Sequence, residues 1–330
     1  MAGKFTIGFD LGGTKMFAVV FDDEFKEVGS ARVPTDGHKG EKDGLRRIIA
    51  TAQDALDDAG IKAKEVAAFG IGCPGVVDFE KGVLRGATNL GWGDVEVGAY
   101  IESKLGMKAT VLNDVDAGTY AEYSHGAGKG SRSLLGIFPG TGVGGGFVYE
   151  GKILRGKRAS CMEIGNLRLA GTTLEGRANE AVRLEALAGR LGVAAACATE
   201  AARGGAPSVM DLAGTDIKAI KSGTIKKAID SGERAVRRIM KRSIAYLGLG
   251  ASAAIDLLAP DTIVLGGGLV EKMPDLYVDG LRDSVKENAS AALVEELEIV
   301  VAKLGDHAVA IGAAAYALER GIVIADTKFE

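Results

Sequence analysis

The chain has 330 residues, among them 49 glycines, 6 prolines and 3 cysteines, and its 40 basic and 44 acidic side chains leave a net charge of −4. Glycine stands at roughly twice its usual share of about 7% while proline is scarce, which excludes a collagen-type repeat and Pro/Gly-rich disorder. Apolar residues at 47% and charged residues at 25% are an ordinary globular balance, and the slight acidity excludes the basic surface that a nucleic-acid or anionic-membrane partner requires.

The length predicts about two domains. Cys73, Cys161 and Cys197 are far apart and form no CxxC pair or zinc spacing, which fits a reduced, cytoplasmic protein. Met1 to Lys4 leads straight into a strand-like run, so no signal peptide is expected. The longest uncharged run, Ser133 to Tyr149, is broken by Pro139 and six glycines and cannot span a membrane.

Lys4–Asp10 and Met16–Phe21 are short apolar runs around a glycine turn, and they predict a β-hairpin. Leu45, Ile48, Ile49, Ala52, Leu56 and Ala59 recur at helical spacing, with Gly60 as the stop. Glu65–Ile71 and Ala109–Leu112 read as strands and Val115–Tyr123 as a helix. A second hairpin is expected from Ser133–Phe138 and Phe147–Tyr149, with Gly140 to Gly146 as its turn, so the opening pattern recurs about 130 residues later and suggests two related halves. Glu233–Leu258 predicts a long helix ended by Pro260. Thr262–Leu265 and Glu296–Ala302 are the remaining strands, and Ala308–Glu319 is an alanine-rich helix. Strands alternating with helices and opened by hairpins give an α/β class with mixed sheets.

Four loops carry chemically capable residues. Asp10-Leu11-Gly12-Gly13-Thr14-Lys15 can bring backbone N–H groups, a hydroxyl and a cation to an anion, with Asp10 placed to hold Mg²⁺ through water; it can also be a plain turn. The Gly140–Gly146 segment contains GxGxxG, but strand-like Gly-Phe-Val-Tyr follows instead of a helix, so it reads as a phosphate-cradling hairpin and not as a dinucleotide fingerprint. Asn113-Asp114 precedes a helix: either residue can be its N-cap, and an aspartate there can accept a hydroxyl proton. Gly266-Gly267-Gly268 permits a flat ligand or a closely packed helix. GxxxxGK[ST], HExxH and GxSxG are all absent from the sequence.

Taken in order, IGFDLGGTK (7–15), GIGCPGVVD (70–78), TNLGW (88–92), LND (112–114), GTGVGGG (140–146), EIGN (163–166) and IVLGGG (263–268) resemble the sugar kinases of the ROK family (repressor, open reading frame, kinase). The resemblance covers nearly the whole chain. It implies the two-lobed ribonuclease-H-like fold of actin and hexokinase, with a small lobe over 1–116, a large lobe over 117–307, and the helix in 308–330 returning to the first. ATP with Mg²⁺ would lie between the lobes. Its phosphates would be held by Gly12, Gly13, Thr14, Lys15, Thr141 and Gly142, and its adenosine would lie near Gly266, Gly267 and Gly268. Asn89, Asn113, Asp114 and Glu163 would hold the sugar, with Gly75 close by. Asp114 would be the base for the attacking hydroxyl, the 6-hydroxyl of a glucose-type hexose. A homodimer is a family expectation.

The chain departs from the family's zinc motif, which reads ExGH and then CxCGxxGCxE. Asn166 stands for the histidine, and aligning Glu185 with the final glutamate puts Gly176, Ala178 and Arg183 at the three cysteines. No zinc is therefore expected. Asn166 and Glu185 would contact the sugar, with Glu175 competing for the glutamate's role. A sugar-binding protein without phosphotransfer, a sugar-sensing regulator, a kinase for another hexose or aminohexose and a polyphosphate donor are the alternatives. A regulator's helix-turn-helix has no room ahead of Asp10, and no further Lys/Arg cluster is evident near the phosphate loops to favour polyphosphate.

Overall fold

A computed structural model describes residues 4–156, 159–169 and 181–326, with side chains up to Arg320. The chain gathers into two compact units: residues 1–130, 146–161 and 303–330 form the first, and 131–145 with 162–302 the second.

The first unit is built on strands β1 (Phe5–Leu11), β2 (Lys15–Phe21), β3 (Glu27–Pro34), β4 (Val66–Cys73) and β8 (Ala109–Asn113), in the order β3-β2-β1-β4-β8. β2 is antiparallel to β1 and β3, whereas β1, β4 and β8 run parallel. A small antiparallel sheet of β5 (Val77–Asp78), β6 (Val83–Ala87) and β7 (Trp92–Val95) follows β4, and helix α2 (Val97–Leu105) precedes β8. The run Met16–Phe21 is continuously apolar because both its faces are covered. Met16, Ala18 and Val20 join the core with Ile48, Ala52 and Leu56 of α1 (Glu41–Ala59), while Phe17, Val19 and Phe21 pack with Ala310 and Ala314 of α11 (Ala308–Asp326).

The last helix lies almost on the backbone of the sheet. A Cβ at Gly70 would stand 1.9 Å from the Ala313 carbonyl oxygen, and one at Gly8 2.0 Å from that of Ala310. Glycine here is a packing requirement, because only a residue without Cβ lets helix and strand backbones approach so closely. The far side of α11 meets α3 (Asp114–Ser124) just as closely, since a Cβ at Gly312 would lie 1.8 Å from the Ala117 oxygen. The fully buried Glu122 of α3 accepts the N–H groups of Ala127, Lys303 and Leu304 at 2.8, 2.9 and 2.9 Å, holding the chain on either side of its excursion into the second unit.

The second sheet contains β9 (Ser133–Pro139), β10 (Val143–Tyr149), β11 (Lys152–Ile153), β14 (Thr262–Leu265) and β15 (Glu298–Val301), in the order β11-β10-β9-β14-β15. When each sheet's strands are counted from one, both read 3-2-1-4-5, so one topology occurs twice. β12 (Arg168–Leu169) and β13 (Val182–Arg183) form a separate ladder. Helices α4 (Leu184–Ala188), α5 (Arg190–Ala202), α6 (Pro207–Ala213) and α7 (Ser222–Asp230) lead to the long α8 (Arg234–Leu258), whose Val236, Met240, Ile244, Leu247, Ala251 and Ile255 are buried; α9 (Pro274–Asn288) and α10 (Ala291–Val294) follow β14. α8 stops at Ala259, in the left-handed region at φ 45°, ahead of Pro260, whose ring and missing N–H bar further helix.

One hairpin differs from the sequence expectation. The turn is confined to Gly140–Gly142, because β10 begins at Val143 and Gly144 to Gly146 are strand residues. Their smallness answers to close neighbours: a Cβ at Gly146 would meet the Thr119 hydroxyl at 2.3 Å, and one at Gly145 the Met162 oxygen at 2.5 Å. The last strand is also shorter than expected, spanning Glu298–Val301.

Candidate functional site

In the first unit the singled-out residues gather at the carboxyl ends of the parallel strands, where ligands of open α/β sheets bind. Asp10 lies near the end of β1 and pairs in register with Gly72 of β4. Burial pushes its carboxyl up to about 7, with the Asp114 carboxylate adding to the rise and Lys15 opposing it. The Gly12 N–H donates to the Lys15 carbonyl at 3.0 Å and closes the turn after β1. Lys15 Nζ reaches Asp306 Oδ2 at 2.8 Å, and Arg32 Nη1 shares that oxygen at 3.2 Å. Arg32 sits on β3, a strand that its half-exposed Glu-Val-Gly-Ser-Ala-Arg-Val-Pro sequence does not announce, so the sequence reading missed this second cation near the turn.

Asn113 is the N-cap of α3. Its Oδ1 accepts the N–H groups of Val115 and Asp116 at 2.8 and 3.1 Å, and its Nδ2 donates to the Gly75 carbonyl at 3.0 Å. Asp114 is therefore the first residue inside the helix, with Oδ1 accepting its neighbour's N–H at 3.0 Å. The N-cap is thus Asn113 and not Asp114. Gly75 has φ +90°, and a Cβ on it would strike the Gly86 oxygen at 2.4 Å. Asn89 is exposed, with its Cβ 3.8 Å from where one would stand on Gly13.

In the second unit the Gly140–Gly142 turn rests on the start of α5. The Arg190 and Leu191 N–H groups, two of the helix's orphan donors, bond the carbonyls of Gly140 and Thr141 at 2.8 and 3.2 Å. Glu185 Oε2 lies against Gly142, where a Cβ would stand 2.6 Å away, so this carboxylate is beside the glycine turn. Glu163 precedes the 3-10 turn Ile164–Asn166 and accepts from Asn166 Nδ2 at 3.4 Å, while Arg183 Nη1 pairs with Glu185 Oε1 at 3.6 Å. Asn166 and Arg183 thus each contact a candidate sugar-site glutamate. Gly176, Ala178 and the competing Glu175 lie outside the described residues. Gly266 is a packing glycine whose Cβ would meet the Phe138 ring at 2.7 Å, whereas Gly267 takes φ +85° and Gly268 faces only the Ser222 hydroxyl, at 3.6 Å.

A Mg²⁺ ion fits the donor chemistry of the first unit, since Asp10 and Asp114 are hard oxygen donors, and burial, with the Asp114 charge adding to it, leaves Asp10 raised despite Lys15 and Arg32. Among the described residues no group of three or more His, Cys, Asp or Glu could hold a metal ion. No helix of the described residues is long and apolar enough to cross a membrane.

A glucokinase of Halalkalibacterium halodurans is 28% identical over 320 residues, covering 94% of each chain. The ROK hexokinase of Thermus thermophilus superposes with a TM-score of 0.78 at 28% identity, over 96% of this chain and 98% of that one. A ROK family glucokinase from Streptomyces griseus, solved with glucose and AMPPNP, gives 0.79 at 25% identity over 96% and 99%. A xylose repressor of Caldicellulosiruptor bescii is matched as well, at 23% identity over 93% of this chain and 76% of that one. The fold is the actin/hexokinase-type two-domain ATPase fold. Residues 6–320 match the ROK family, and the chain belongs to that family.

Proposed function

We propose that the protein is an ATP-dependent hexose kinase, with the 6-hydroxyl of glucose as the leading acceptor and Asp114 as general base. The observation that carries this reading is the gathering of Asp10, Asp114 and the Gly12–Lys15 turn at one end of the parallel strands, with Asn113 taking the capping role. Phosphoryl transfer has a loose transition state, so positioning and charge neutralisation supply most of the catalysis. Asp114 accepts the proton of the attacking hydroxyl, the new O–P bond forms as the bond to ADP breaks, and ADP leaves with the electron pair. Mg²⁺, held by Asp10 through water and by the phosphates, would neutralise charge on the donor. The Gly12 N–H closes the turn on the Lys15 carbonyl, so the amides of Gly13, Thr14, Thr141 and Gly142 bind phosphate oxygens; Lys15 supplies a cation, and of the glycines after β14 it is Gly268 that leaves room for adenosine, since a Cβ at Gly267 would stand 3.0 Å from the Pro139 oxygen. Asn89, Glu163, Asn166 and Glu185 contact the sugar, and Asn113 keeps Gly75 and the start of α3 in place.

Glucokinase relatives at similar identity along the whole chain support the reading. One rival is a sugar-binding protein without phosphotransfer, a reading supported by the match to a xylose repressor. A coupled ADP-release assay over a panel of neutral and N-acetylated hexoses decides between them. Turnover on one or more is expected, and a thermal shift with sugar but no turnover on any would overturn the kinase.

A further inference from the structure

We infer that Thr35 is a positioning residue that sets the Gly12–Lys15 turn for the donor phosphate, an inference that deepens the kinase reading and rests on it. Thr35 follows the end of β3 and is 1% exposed. Its hydroxyl donates to the Gly12 carbonyl at 2.6 Å, and its N–H donates to the Thr14 carbonyl at 3.0 Å. One residue thus draws two carbonyls of the turn to its own side. In a trans peptide the N–H points opposite to the C=O of the same plane, so the amides of Gly13 and Lys15 are turned away from Thr35. The Gly13 and Lys15 N–H groups, with Thr14 between them, then face the other side of the turn, and backbone N–H groups gathered on one side of a turn bind an anion.

The second unit arranges its own turn by the same logic with different parts. There the carbonyls of Gly140 and Thr141 are held by the first N–H groups of α5, which turns the amides of Thr141 and Gly142 the other way. The turn after β1 runs straight into a strand and has no such helix behind it, and Thr35 supplies the two donors instead.

Thr35 is itself fixed from several sides. Arg47 Nη1 donates to the Pro34 carbonyl at 3.0 Å, its Nη2 pairs with Asp36, and its Nε reaches Asp43 Oδ2 at 3.1 Å. Trp92 Nε1 holds the Gly37 carbonyl at 3.4 Å. Asp36 sits in the left-handed region at φ +49°, a conformation that persists only where the surroundings over-determine it and that concentrates at functional sites.

The test compares Thr35→Val, which keeps the shape and loses the donor, with Thr35→Ser, which restores it. Thr35→Val should raise the KM for ATP about tenfold and lower kcat, with sugar affinity within twofold of wild type, and Thr35→Ser should recover most of the loss. A folded Thr35→Val with unchanged KM for ATP, or with sugar and ATP affinity weakened alike, overturns the assignment. Should Thr35→Val not fold, amide exchange of the wild type decides: ATP must slow exchange at Gly13 and Lys15, and unaltered exchange there refutes the inference. If the wild type turns over no hexose, the kinase reading fails separately, and calorimetric binding of AMPPNP to wild type and variants still reads the effect of Thr35.

Discussion

Replacing Gly70 by alanine tests whether α11 is held by backbone contact with the sheet. The added Cβ would lie 1.9 Å from the Ala313 oxygen, 2.2 Å from its carbonyl carbon and 2.9 Å from the Ala314 nitrogen. Carbon and oxygen normally stay above roughly 3.2 Å, so strand and helix must separate by about 1 Å. A gap of that size forfeits a quarter to a half of each contact's attraction. No side chain can rotate aside, because all three atoms belong to backbone, and β4 is flanked on both sides in the sheet. Overpacking costs about 1–3 kcal/mol, and a purely backbone clash belongs at the upper end. Alanine's lower unfolded-state entropy offsets about 0.4–1 kcal/mol. A net loss of about 2 kcal/mol follows, or about 4–8 °C in Tm for a unit of this size. Trp92, the single tryptophan, is buried in the first unit, so its fluorescence during urea unfolding reads the unit in question. Gly118→Ala in α3 is the matched control: a Cβ there has nothing within 4 Å, and a gain of about 0.5–1 kcal/mol is expected. A Gly70→Ala protein within 0.5 kcal/mol of wild type would refute the reasoning.

Asp114→Asn should lower kcat by about 10²–10⁴ while keeping sugar affinity, and equal activity would reject Asp114 as base. The same variant should let the Asp10 carboxyl titrate lower, since the Asp114 charge helps raise it; infrared or NMR titration reads this. Asp10 rises from its ordinary 3.8 to about 7, so its protonation contributes stability that is fully present below pH 3.8 and lost as pH climbs through about 7. Metal-free protein should therefore lose at most about 4 kcal/mol from this group across that window, at about 1.4 kcal/mol for each pH unit between the two values, and Asp10→Asn should flatten that part of the urea–pH profile. Glu122→Gln puts an amide nitrogen against backbone donors that the carboxylate now satisfies, and should cost about 2–3 kcal/mol in the same urea assay. Elemental analysis of purified protein should find no stoichiometric zinc, and one zinc per chain would overturn the zinc-free reading.

The parts of the molecule legible in the sequence are those where local chemistry and tertiary demand coincide. The Asp10–Lys15 hairpin, α1 and α8 carry their own turn residues and periodicity, and the structure places them within a few residues of expectation. β3 was not legible: it is half-exposed, its sequence mixes charges with glycine and proline, and its part in the site comes from Arg32, which shares Asp306 with Lys15, and from Thr35 just beyond it, which bonds Gly12 23 residues earlier in the chain. Gly144 to Gly146 misled in the opposite way, because a run of glycine reads locally as a turn. The real reason for two of them is the pressure of Thr119 and Met162 on a strand, which no neighbouring residue in the sequence records. The Asn113-Asp114 pair posed a choice between cap and base that only the helix start could divide.

The discontinuity of the first unit also sets an order of events during synthesis. Its strands β1 to β4 and β8 leave the ribosome first, yet the helix that covers Phe17, Val19 and Phe21 is made only after residues 162–302 of the other unit. For that interval one face of the opening sheet has no lid, and its glycine-lined groove waits for a partner nearly 200 residues downstream of β8. Such delayed closure is where nascent chains are most prone to aggregate. A chain ending at residue 302, held on the ribosome by an added linker long enough to clear the exit tunnel, should therefore protect the second unit from protease while leaving the first open to it.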